Sequence, residues 1–184
     1  MRLTFISPNY ISYIRIYCLI DEMKAIEEEI YECLGNGDYD PKKFEKIKNR
    51  QSFCKPFGGL WSSPVDSEWG WRQWVECEMP SWKEIIDSSG FKFKMKPESK
   101  IYVIDSVVDL IRVPHKVRDF CLMSYFPNKQ LIDFEKMSIE YDAILLTISG
   151  ESDTRWSETE YGMDLYGWDC ETLLVLRNEN IEVV

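Results

Sequence analysis

Two short runs carry residue types that could do chemistry. The first is Trp61-Ser62-Ser63, inside the stretch Lys55 to Trp74 (KPFGGLWSSPVDSEWGWRQW), which holds four tryptophans, three glycines and two prolines. A flat indole beside two small hydroxyls suits a pocket that stacks one planar group and hydrogen-bonds another. Clustered tryptophans also serve as packing, and on that reading Trp69, Trp71 and Trp74 form a lid over the core. The second run is Trp168-Asp169-Cys170-Glu171. In an extended chain Asp169 and Glu171 fall on one face, at a strand entry where they can meet a substrate cation or a sugar hydroxyl. The plainer reading of this D-x-E is a solvated acidic strand start.

Other chemistries lack their apparatus. His115 is the only histidine and has no nucleophile motif around it, so a Ser-His-Asp or Cys-His site is poorly supplied. No H-E-x-x-H, calcium loop, phosphate loop or G-x-G-x-x-G occurs, and no metal site is expected. Gly58 and Gly59 are not a phosphate loop. Six cysteines at 18, 33, 54, 77, 121 and 170 stand apart with no C-x-x-C pair, as in a reduced, cytoplasmic protein that packs them as small apolar residues. The net charge of −10, from 32 acidic against 22 basic residues, argues against nucleic acid or an anionic membrane as the partner. The apolar N-terminal run is broken by Pro8, Asn9 and Arg15, which fits neither a signal peptide nor a spanning helix.

With 184 residues, 45% of them hydrophobic, a single domain over 1–184 is expected. Leu3 to Ser7 reads as a first strand. Ser12 then caps a long helix whose apolar stripe runs through Ile30 to Leu34, with Gly35 as its stop. Asp40 and Pro41 open a second, basic helix to Arg50. Helical spacing recurs at Trp71, Trp74 and Val75, and a short helix or turn covers Pro80 to Ser88. Strict alternation over Phe91 to Lys96 predicts a half-buried strand. Ile101 to Ile104 is a further strand, and Ser106 caps a helix to Val113. Pro114 to Gln130 reads as irregular. Asp133 caps a helix through Glu140, Ala143 to Ile148 is a central strand, and Ser149 to Trp168 is a polar loop spiked with aromatics. Glu171 to Leu176 and Ile181 to Val184 complete the strands.

Taken in order, FISP, GLWSSP, IDFEKMSIEYDAILL, DCETLLVL and NIEVV, the chain resembles the ADP-ribosyltransferase-like fold. That resemblance implies an α+β domain with a split, mostly antiparallel sheet, flanking helices, and a cleft between the Trp61 and Glu171 strands. It implies NAD as cofactor, held by Trp61, Ser62, Ser63 and Ser7, with Ser62 or Ser63 bracing the catalytic Glu171. Asp169 takes the position that helps choose the acceptor. A carboxylate there would stabilise the oxocarbenium-like sugar left when the nicotinamide bond breaks. One departure is that the first strand offers Phe5, Ile6 and Ser7 where the family has arginine or histidine, which leaves Arg15, Arg72 or Arg155 to compensate. The layout is also similar to small bacteriophage and prophage proteins, which implies a host protein as target. The expected function is therefore NAD-dependent transfer to a host protein, or a catalytically silent anti-defence protein that binds its host target through the aromatic loop. A glycosidase using Asp169 and Glu171 ranks third, because carboxylates two residues apart rarely straddle a substrate.

Overall fold

The computed structural model describes residues 28–35, 37–51, 53–117, 130–157 and 162–184. Its main element is a seven-stranded sheet in the order β4-β7-β8-β2-β1-β3-β9. The strands are β1 (Tyr31–Leu34), β2 (Leu60–Pro64), β3 (Gly90–Met95), β4 (Ile101–Ile104), β7 (Ala143–Leu146), β8 (Thr172–Val175) and β9 (Ile181–Val183). Among the described residues only β4 and β7 of this sheet run parallel, and its other pairings are antiparallel. β5 (His115–Val117) and β6 (Gln130–Ile132) form a separate ladder. The helices described in full are α1 (Trp71–Glu78), α2 (Lys83–Ser88), α3 (Val107–Arg112), α4 (Phe134–Glu140) and α5 (Ile148–Thr154). Among the described residues, no helix is long and apolar enough to cross a membrane.

Period-two alternation divides the sheet into two faces. On one, Ile144, Leu146, Leu174 and the partly buried Trp61 pack with Phe134 and Met137 of α4, Leu110 of α3 and Trp168. On the other, Tyr31, Phe93, Met95, Leu145, Leu173 and Val175 from β1, β3, β7 and β8 pack on one another, with Leu60 at their edge. The four residues of β7 and the four of β8 are all buried, as expected of central strands covered on both sides.

The α+β class and the mostly antiparallel sheet agree with the sequence reading, but several elements differ. β2 and β8 are hydrogen-bonded neighbours, Trp61 opposite Leu174 and Ser62 opposite Leu173, so no gap separates these strands. Residues 31–34 are a central strand rather than the end of a helix. Their apolar residues fit both periods, and pairing with β2 and β3 decides the matter. After a 3-10 turn at Pro41–Lys43, capped by Asp40, the basic segment is extended and bridges Lys48 to Phe57. Part of the expected loop from Ser149 is α5, capped by the Thr147 hydroxyl accepting from Gly150 N. Segment 114–130 is not irregular throughout, since both its ends enter the β5–β6 ladder. The strand expected at Leu3 to Ser7, the helix from Ser12 up to residue 27, and Ser7 itself lie outside the described residues.

Candidate functional site

A cleft of about 380 Å3 opens over the face that carries Trp61, walled by Trp61, Trp71 and Trp168 and lined further by Lys55, Glu32 and Asp169. Trp168 is its floor. Only 1% exposed, it meets Trp61 edge-on at 4.8 Å, stacks on Phe134 at 6.2 Å and donates from Nε1 to Cys54 O at 3.2 Å. The ring is thus fixed by packing and by a satisfied indole N–H. Trp71 is brought in from α1, where it stacks on Trp74 at 4.9 Å, one helical turn on. Lys55 Nζ stands 5.4 Å from the Trp61 ring centroid. None of the ion pairs among the described residues involves this ammonium.

Both acids on the wall are paired with an arginine that a second acid shares. Glu32 is buried against Arg72, with Nε and Nη2 each at 3.3 Å from its oxygens, and Arg72 reaches on to Asp87 at 2.7 Å. Asp169 accepts from Arg155 Nη2 at 2.9 Å, and Arg155 also holds Glu151 at 2.9 Å. The cleft therefore offers the indoles of Trp61 and Trp71 over the buried Trp168, two carboxylates that each share an arginine with a second acid, and Lys55, which makes no ion pair among the described residues.

The serines hold backbone rather than a carboxylate. Ser62 Oγ donates to Leu173 O at 2.9 Å, while Ser63 Oγ donates to Glu171 O at 2.7 Å and accepts from Trp71 N at 2.9 Å. Ser63 thus joins β2, the entry to β8 and the first turn of α1, supplying a free helix N–H with an acceptor from outside the helix. Trp69 locks the same corner, its Nε1 donating to Asp169 O at 3.0 Å and its carbonyl accepting from Glu171 N at 2.9 Å. Gly58 and Gly59 set the entry to β2, with φ of 69° and 71°. A Cβ on Gly59 would lie 2.9 Å from Val175 O and 2.8 Å from the Ile47 side chain.

Of the site residues predicted from sequence, Trp61, Ser62, Ser63 and Asp169 line this cleft. Glu171 does not. It shares a separate cavity of about 270 Å3 with Glu29, Tyr31, Pro64, Asp66, Ser67 and Leu145, on the sheet face that carries Leu173 and Val175. Trp61 and Glu171 therefore do not face one cleft, and Asp169 and Glu171 do not share a face. The reason is local: β8 begins only at Thr172, and a bend at Cys170 breaks the extended spacing on which that alignment depends. The Glu171 carboxyl is braced by the Ser67 hydroxyl instead of Ser62 or Ser63. Burial raises its pKa and the Ser67 hydrogen bond opposes that rise.

No family model matches the chain, and no curated protein or solved structure matches it either. Cys170 lines the cleft as a buried thiol, and burial pushes its pKa up to about 11, away from the thiolate form that a nucleophile uses. Sequence reasoning missed Lys55, Glu32 and the pairing role of Arg72. Lys55 was visible at the head of the tryptophan-rich stretch but carried no periodic signal, and Glu32 was hidden by the helical reading of residues 31–34.

Proposed function

We propose that the chain binds a nucleotide in the tryptophan cleft. The observation that carries this reading is the Lys55 ammonium beside the Trp61 ring at a cleft walled by two further indoles. An indole face takes a flat heterocycle, and the Lys55 ammonium, in no ion pair among the described residues, takes the phosphate. At about 380 Å3 the cleft lies near the small end of the roughly 300–1,000 Å3 typical of ligand pockets, which suits a mononucleotide or one half of a dinucleotide. Its two acids are each paired with an arginine, Glu32 with Arg72 and Asp169 with Arg155, which reduces the repulsion an anionic ligand meets.

The fuller form of the proposal is the NAD-dependent ADP-ribosyltransferase-like activity that the sequence suggests, on a host protein. The geometry favours Asp169 over Glu171 as the carboxylate beside the reacting sugar. Nicotinamide would leave with the electron pair of its glycosidic bond, and the acceptor would add to the ribosyl carbon and lose its proton. Arg155 holds the Asp169 carboxylate, which would stabilise the positive charge that develops on the sugar. Incubation with labelled NAD, followed by detection of released nicotinamide and labelled protein, tests this form. Asp169→Asn should abolish turnover and Glu171→Gln should retain it; the reverse order would return the catalytic role to Glu171.

A second reading is favoured by the position of Glu171 away from the cleft. In it the fold is catalytically silent and binds a host protein through the exposed aromatic pair Trp156 (71% exposed) and Tyr166 (55%), whose rings lie 4.8 Å apart. Trp156→Ala should then abolish partner binding while NAD turnover is absent in every variant.

A further inference from the structure

The cavity that holds Glu171 has a composition the tryptophan cleft does not explain. Three carboxylates, Glu29, Asp66 and Glu171, line it above an apolar wall of Pro64, Leu145 and the Tyr31 ring. None of the ion pairs among the described residues reaches these acids. A like charge nearby raises a carboxyl's pKa, and Glu29 shows this: burial raises it first, then the charges of Asp66 and Glu171. A second observation is independent of the acids. Tyr31 is 0% exposed, and its hydroxyl has no hydrogen-bond partner among the described residues. A buried, unmade phenol hydrogen bond is costly and calls for a partner beyond the described residues.

We propose that this cavity, with Glu29, Asp66 and Glu171 around the orphaned Tyr31 hydroxyl, binds a guanidinium group. The site lies on the opposite sheet face from the tryptophan cleft and is independent of what that cleft holds. A cation restores charge balance to the three acids, and a group rich in N–H donors serves several carboxylate oxygens and the phenol oxygen together. Guanidinium is favoured over ammonium because it is more weakly hydrated and planar, so it enters a partly buried site with an apolar wall at lower desolvation cost. A metal ion is disfavoured by placement: among the described residues no group of three or more acids, cysteines or histidines converges enough to hold one.

Calorimetric titration of the full chain with agmatine, and separately with a capped Gly-Arg-Gly peptide, tests the assignment. Saturable binding of at least one is expected, about tenfold weaker in Glu171→Gln and several-fold weaker in Tyr31→Phe, as for loss of a charge-assisted hydrogen bond and of a single phenol contact. Glu171→Gln keeps the side-chain shape, and unchanged circular dichroism would confirm that both variants fold. Tighter binding of the peptide would identify a partner protein's arginine as the occupant, and tighter binding of agmatine a free guanidino compound. Putrescine or Mg2+ binding as well as agmatine, equal affinity in both variants, or no saturation by either guanidinium probe at millimolar concentration would overturn the proposal.

Discussion

Replacing Ser63 by alanine should loosen the corner that builds both cavities, and the size of the effect follows from two hydrogen bonds. Ser63 is 1% exposed. Its hydroxyl donates to Glu171 O at 2.7 Å and accepts from Trp71 N at 2.9 Å. Alanine removes the acceptor for a first-turn N–H of α1 and the donor for a carbonyl at the entry to β8. Each buried group left unsatisfied costs about 1–3 kcal/mol, and partial access of water to Trp71 and Glu171 puts the sum near the low end, about 3 kcal/mol. For a chain of this size about 1 kcal/mol moves Tm by about 2–4 °C, so thermal unfolding should show a fall of about 6–12 °C. Ser62→Ala is the comparison, since it breaks one bond, to Leu173 O, and should cost about 1 kcal/mol. A Ser63→Ala shift no larger than that of Ser62→Ala would refute the claim that Ser63 joins the three elements.

Further expectations concern packing, thiols and pH. Trp74 is half-buried and stacks on Trp71 at the surface rather than filling the core, so Trp74→Ala should cost about 1–2 kcal/mol in urea unfolding instead of the roughly 3–5 of a core aromatic. Gly59→Ala should destabilise by about 2 kcal/mol or more, combining a left-handed φ with a clash on the Val175 carbonyl. At pH 8 a thiol reagent followed by mass mapping should label the exposed Cys77 well before the buried Cys170, whose thiol ionises only near 11. Burial raises the pKa of Glu171 and of Glu29, and the like charge of Glu171 adds to the rise at Glu29. An acid whose folded pKa is raised contributes stability below its unfolded pKa that is lost as pH rises through the folded value. Glu171→Gln should therefore raise Tm at neutral pH, with the gain shrinking in the acid range as Glu171 and Glu29 protonate. A gain independent of pH would contradict this account of the cavity.

What the sequence disclosed depended on whether the signal was local. The Asp133 cap is realised by its carboxylate accepting from Lys136 N at 3.2 Å, and the alternation before Pro97 and the apolar run from Ala143 became strands. All three are decided within a few residues. β1 was concealed because its few residues continue a helical stripe, and only pairing with β2 and β3 makes them a strand. The N-terminus of α1 was equally hidden, because its hydroxyl acceptor comes from Ser63, eight residues before Trp71. At the site, Trp61, Ser62, Ser63 and Asp169 were legible as residues that meet at one cleft. The fate of Glu171 was not, because a bend at Cys170 decides which sheet face it joins. Lys55 was not either, because nothing in its neighbourhood fixes its approach to Trp61.

The most direct test of nucleotide binding is a 1H–15N titration that follows the indole N–H signals as AMP, and separately NAD, is added. Saturable shifts of Trp61 and Trp71, a still Trp156, and about tenfold weaker binding in Lys55→Met are expected, as for loss of one charge-assisted contact to phosphate. Indole signals that stay in place at millimolar nucleotide, or shifts of equal affinity in Lys55→Met, would contradict it.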